Sequence, residues 1–203
     1  VPGALAVDRR SGDVHILWRS YTGTFTGHGE LTGARLVSAS VQTRHPDGSI
    51  PHPPFPVPAG EDLTVDPDTG NLALQDGGAC MVWLLAPDDG AVVGRVSLRT
   101  VSCWNRRLTA APGGVMAAVQ NTGAVVVFRA DGELDGGLAL RRNSAVDVSA
   151  DAAGQLHVLV VEETVPGVVM TFDAWRRLVG VRTGADLGVP KLPGASDWPW
   201  AID

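Results

Sequence analysis

The chain has 203 residues, 44% of them hydrophobic, with 16 Lys and Arg against 22 Asp and Glu and a formal net charge of −6. That apolar share excludes a mainly disordered chain, and the acidic balance disfavours nucleic acid as a partner. No apolar run approaches the roughly 20 residues that cross a bilayer as a helix, so no membrane span is expected.

Four segments repeat one pattern in chain order. The first is Leu5-Ala6-Val7-Asp8, a turn through Gly12, then Asp13-Val14-His15-Ile16. The second is Leu63-Thr64-Val65-Asp66, a turn through Gly70, then Asn71-Leu72-Ala73-Leu74. The third is Leu108-Thr109-Ala110-Ala111, Pro112-Gly113-Gly114, then Val115-Met116-Ala117-Ala118. The fourth is Val146-Asp147-Val148-Ser149, a turn through Gly154, then Gln155-Leu156-His157-Val158. Each reads as strand, tight turn, strand, because Asp, Pro, Ser and Gly supply local hydrogen bonds, a fixed φ and a positive φ. Two more strands follow in each later unit. They are predicted at 79–86 and 91–98, at 124–129 and 138–141, and at 167–172 and 178–182. Short β-branched runs such as Val125-Val126-Val127-Phe128 are strands rather than helices, and no segment sustains a helical period.

Four short antiparallel strands in a unit of roughly forty residues are the mark of a β-propeller blade. Pro2-Gly3-Ala4-Leu5-Ala6-Val7-Asp8 with Gly12-Asp13-Val14-His15-Ile16 resembles the NHL repeat, and is similar to the YWTD and gluconolactonase-like six-bladed propellers. In the third and fourth units Ala111 and Ser149 stand where the repeat has aspartate. The expected fold is all-β, with blades at about 1–44, 61–99, 107–142 and 144–183. Proline-rich connectors are expected at 45–60 and 184–197. Residues 198–203, with Trp200-Ala201-Ile202-Asp203, read as the first strand of a further blade. The chain is therefore expected to be a portion of a longer, six-bladed ring, within a larger protein or assembly; a four-bladed ring is the other reading.

The expected function is a non-catalytic scaffold for protein partners. Arg106, Arg107, Arg141 and Arg142 each precede or open a first strand, and with Trp104 are expected on one face. Paired guanidinium groups there suit a carboxylate, a phosphate or an acidic peptide, or salt bridges between blades. His52 and Phe55 in the first connector, and Trp198 in the second, are candidate docking residues on stiff, donor-poor chain. His15 and His157 share one place in their repeats and are read as packed between blades. Cys80 and Cys103 lie on or near successive outer strands, as a disulfide or as two half-buried thiols. The gluconolactonase likeness implies an alternative, a lactone hydrolase with Ca2+ or another divalent cation in the central channel, with Glu61, Asn143 and Asp197 at the corresponding places. The YWTD likeness implies a third reading, extracellular carbohydrate or receptor recognition. Without those resemblances the residues themselves call for no cofactor.

Overall fold

The computed structural model describes residues 1–25, 31–98, 103, 105–130, 133–138, 140, 145–162 and 165–183. They form four four-stranded antiparallel sheets, each meandering in chain order. Blade 1 holds β1 (Pro2–Val7), β2 (Val14–Phe25), β3 (Leu31–Arg44) and β4 (Phe55–Val57). Blade 2 holds β5 (Asp62–Val65), β6 (Leu72–Asp76), β7 (Met81–Leu85) and β8 (Val92–Ser97). Blade 3 holds β9 (Asn105–Ala111), β10 (Val115–Gln120), β11 (Val125–Arg129) and β12 (Leu134–Gly137). Blade 4 holds β13 (Ala145–Ala150), β14 (Leu156–Glu162), β15 (Val165–Phe172) and β16 (Leu178–Thr183). Two compact units divide the chain, Val1–Leu98 with blades 1 and 2, and Arg99–Asp203 with blades 3 and 4.

Each unit has its own core, built by strand alternation. In the first, Ala6, Leu17, Ala39, Val41 and Phe55 from one face of blade 1 meet Leu63, Val65, Leu72, Leu74 and Leu85 of blade 2. Leu17, Leu72, Leu74 and Leu85 are wholly buried, and burial of each contributes about 1.5–3 kcal/mol. In the second unit Ala111, Ala117, Val119, Val125 and Val127 of blade 3 meet Val148, Ala150, Leu156, Val158 and Phe172 of blade 4.

The hairpin between the first two strands is closed by a corresponding backbone bond in blades 1, 2 and 4. The amide of Asp8 donates to the carbonyl of Asp13, Asp66 to Asn71, and Asp151 to Gln155, at 2.8, 2.9 and 3.0 Å. Gly12, Gly70, Gly113 and Gly154 all take positive φ in these turns. The aspartate of the fourth blade is therefore Asp151, not the position of Ser149. The ladder runs unbroken from Asp147↔Leu159 to Ala150↔Leu156 into this turn, which is one residue shorter than those of blades 1 and 2, so a linear alignment slips. Ala111 does stand at the aspartate's place, pairing with Val115 across a shorter turn.

Two further expectations are corrected. The stretch 45–60 is not all connector, because Phe55–Val57 pairs with Val41, Ser40 and Ala39 as the fourth strand of blade 1. Pro56 is tolerated there because an outer strand has one edge without ladder partners. The last strand of blade 3 is Leu134–Gly137 rather than 138–141; Leu138 instead caps the sheet through its amide to the carbonyl of Val125, 3.0 Å away. The expected connector 184–197 and the strand at 198–203 lie outside the described residues.

Candidate functional site

Polar side chains gather at two levels of the first unit. At the start of β5 stand Glu61 and the buried Asp62, facing β6, whose Gln75 and Asp76 are also buried. The Glu61 amide donates to the carbonyl of Gln75 at 2.8 Å. Asp76 accepts from the Ala79 amide at 2.9 Å and from the Trp83 indole at 3.3 Å. Burial pushes the Glu61 carboxyl above its ordinary value, the Arg19 charge opposes this, and Asp76 adds to it. A hard cation needs several convergent oxygens. Glu61 instead has an arginine in its field, and among the described residues no group of three or more His, Cys, Asp or Glu is placed to hold a metal. Asn143 and Asp197 lie outside the described residues.

At the turn end of blade 1, Nδ1 of the buried His15 lies 3.0 Å from Oγ1 of Thr43. Burial lowers the His15 pKa against the charges of Asp13, Asp8 and Asp88, with His52 reinforcing the shift. Nδ1 of His45 lies 2.7 Å from Oδ1 of Asp13. That contact raises the His45 pKa and holds the Asp13 carboxyl below the usual range. Asp8 is gripped by Arg10, whose backbone amide and guanidinium both donate to it at 2.8, 3.3 and 3.2 Å. Arg10 continues to the carbonyl of Asp68 at 3.1 Å, tying the first turn of blade 1 to that of blade 2.

The second unit is held the same way. Arg107 lies 3.6 Å from Asp147. Arg176 binds both the carboxylate and the carbonyl of Asp135. It does so from a φ of 61°, a conformation usually left to glycine. Beside this pair a cleft of about 120 Å³ is lined by Ala111, Val115, Val127 and Leu156, its polar end already taken by Arg176 and Asp135. Cys80 and Cys103 are both disulfide-bonded, so neither is a free thiol.

Four of the docking candidates, His52, Phe55, Arg106 and Arg107, lie among the described residues. Phe55 is buried in the core, where Gly90 makes room for its ring: a Cβ there would lie 2.4 Å from it. His52 packs on Phe55 with centroids 5.5 Å apart. Arg107 is half-exposed beside Asp147, and Arg106 lies in β9. Trp104, Arg141, Arg142 and Trp198 lie outside the described residues.

The surfaces that are open carry a signal the sequence reading passed over. Val92 and Val93 on β8, and Leu178, Val179 and Val181 on β16, are exposed, and Trp175 in the turn before β16 is 80% exposed. Adjacent residues of a strand point to opposite faces. Consecutive apolar residues, Val92-Val93 and Leu178-Val179, on the outermost strand of a blade therefore put at least one side chain away from its neighbour.

No family model matches the chain, and no curated protein matches it. Solved structures do. Hydrazine synthase of Kuenenia stuttgartiensis is similar at 16% identity over 89% of this chain and 48% of that one, with a TM-score of 0.59. A gluconolactonase from Xanthomonas campestris is similar at 23% identity over 78% of this chain and 54% of its own, with a TM-score of 0.54. A chain of a mitotic checkpoint complex is similar at 13% identity over 89% of this chain and 51% of its own, with a TM-score of 0.59. This chain thus spans about half the length of each. At such identities the likeness is one of fold, and with four meandering four-stranded sheets it makes this chain a partial β-propeller.

Proposed function

We propose that the chain is a non-catalytic propeller scaffold that binds protein partners along its outermost strands. The carrying observation is the exposed apolar pair on each of β8 and β16, next to an open backbone edge among the described residues. An extended segment of a partner adds to such an edge by ladder hydrogen bonds, with side-chain contacts giving selectivity. Arg95 and Arg182 are exposed on the same strands, so the segment that fits is acidic. The histidines that a catalytic reading would recruit are engaged internally, His15 with Thr43 and His157 with Thr171 and Asp151. The likeness to a chain of a checkpoint complex supports the reading only as analogy, since one fold hosts many functions.

The test is a photo-crosslinking residue at Val93 or Val179, followed by binding measurements with the purified captured protein. The expected result is an acidic extended segment in the adduct and loss of binding in Val93→Asp and Val179→Asp proteins of unchanged circular dichroism. Binding unaffected by either substitution overturns the proposal.

A second reading is metal-dependent lactone hydrolysis with Ca2+, supported by Glu61 at the head of a first strand and by the gluconolactonase likeness. Its test is the hydrolysis of gluconolactone with Ca2+ or with chelator. Turnover lost in Glu61→Gln establishes it; no turnover under either condition removes it.

A further inference from the structure

At the head of the first unit, Arg19 and Glu61 approach one another without pairing. Arg19 follows Leu17 by two positions along β2, so it leaves the same face as that core residue, and its partner across the ladder, Ala39, is also in the core. Glu61 precedes Leu63 of the same core by two positions, just ahead of β5. The hairpin turns of the two blades lie together, joined by Arg10 and the carbonyl of Asp68. Arg19 and Glu61 both lie beyond the core from those turns, at the opposite end of one blade-to-blade contact. The Arg19 charge acts on Glu61 there, yet among the described residues neither takes part in an ion pair.

The guanidinium is held in place by its surroundings. It lies across Gly3, where a Cβ would stand 2.3 Å from Nε, and its Cζ is 5.9 Å from the centre of the Tyr21 ring. Nε is buried and meets no acceptor, a state that protein interiors rarely leave standing. Asp76 supplies a second carboxylate at this end, fixed by the Ala79 amide and the Trp83 indole. The local charges are therefore one guanidinium without an anion, one carboxylate without a cation, and a second carboxylate close enough to act on the first.

We propose that Arg19 and Glu61 form a binding site for a free α-amino acid, its carboxylate on the Arg19 guanidinium and its ammonium on the Glu61 carboxylate. A guanidinium fork matches a carboxylate, and an ammonium brings three donors to a carboxylate that has none. An anion alone would leave Glu61 unserved beside Asp76, and a cation alone would leave Arg19 unserved. One small zwitterion answers both. The Tyr21 ring beside Arg19 offers the ligand's side chain an apolar wall. The site shares no residue with β8 or β16, so it stands apart from the scaffold proposal.

The experiment is titration calorimetry of the full natural polypeptide with free alanine, leucine and phenylalanine, with and without chelator. Saturable binding of at least one is expected, unchanged by chelator. Affinity falls tenfold or more in Arg19→Gln and in Glu61→Gln, and stays within a few-fold in Arg19→Lys. Gly3→Ala keeps both charges but displaces the guanidinium, so it weakens binding several-fold while circular dichroism stays the same. Acetate and methylamine, which carry one charged group each, bind far more weakly. No saturable binding by any of the three, full affinity in Arg19→Gln or Glu61→Gln, equal affinity for acetate or methylamine, or binding abolished by chelator would each overturn the proposal. Val93→Asp is expected to bind the amino acid unchanged, which separates a failure here from a failure of the scaffold proposal.

Discussion

Nδ1 of His157 lies 3.1 Å from Oγ1 of Thr171, directly across the β14–β15 ladder. His15 and Thr43 make the same rung across β2 and β3 at 3.0 Å. The two rungs differ in their aspartate. Asp151 turns back to within 3.3 Å of His157 Nε2, while Asp8 is held by Arg10. His15 is thus a buried neutral imidazole whose hydroxyl partner needs no charge. A histidine with a lowered folded-state pKa binds protons more weakly when folded than when unfolded. Its stabilising contribution is complete above the ordinary value of 6.5 and is lost as pH falls through the lowered one. We expect thermal stability to fall on acidification below 6.5, and that part of the slope to vanish in His15→Gln. The His45–Asp13 pair has the opposite sense for histidine: its contribution is present below 6.5 and lost as pH rises through the raised value. Melting curves of His15→Gln and His45→Asn from about pH 5 to 8 separate the two.

Asp151 accepts from the amides of Ala153 and Gln155 at 2.9 and 2.8 Å as well as facing His157. Burial works against its charge, and these donors more than offset it, leaving the carboxyl below the usual range. Asp151→Ala is expected to cost about 1–2 kcal/mol in urea unfolding, and Ser149→Ala less than about 0.5 kcal/mol. Equal costs would contradict the assignment of the repeat's aspartate to Asp151.

Phe55 supplies a buried ring and His52 a half-buried one above it. Phe55→Ala is expected to lower stability by about 3–5 kcal/mol, and His52→Ala by less than about 1 kcal/mol. The same denaturation experiment measures both.

Asp147 faces Arg107, yet burial raises its carboxyl above the ordinary value, with the Val148 amide and Arg107 only partly compensating. A charge that folding disfavours is a poor anchor. Asp147→Asn is expected to change stability at pH 7 by no more than about 0.5 kcal/mol, and Arg107→Ala by about 0–1 kcal/mol. A loss of several kcal/mol in either would show a tighter pair than the geometry implies.

Repeat periodicity made the blades legible, because a hairpin turn needs glycine at a fixed place and strands need alternation. What it missed has local causes. Pro54 and Pro56 disguise a strand that only an outer edge tolerates. The turn from Asp151 to Gln155 is one residue shorter than those of the first two blades and moves the fourth repeat out of linear register. Gly136 and Gly137 weaken the pattern of β12, which pairs through its backbone. The open surfaces were harder to read, since Leu5 and Leu63 look identical in sequence and differ only in whether a sheet lies against them.

Gly70 answers two demands at once. Its φ is +79°, and a Cβ there would lie 1.8 Å from the Arg10 guanidinium that crosses to Asp68. Gly70→Ala should therefore destabilise by more than the about 1 kcal/mol of conformational strain alone, and part of the loss should return in the Arg10→Ala background; a thermal-melt double-mutant cycle measures that coupling. Over the history of the sequence the two positions are not free to change in either order. Arg10 can be lost with no strain at Gly70, but a side chain at 70 strains the backbone in either background and, where Arg10 remains, also displaces its guanidinium from Asp68.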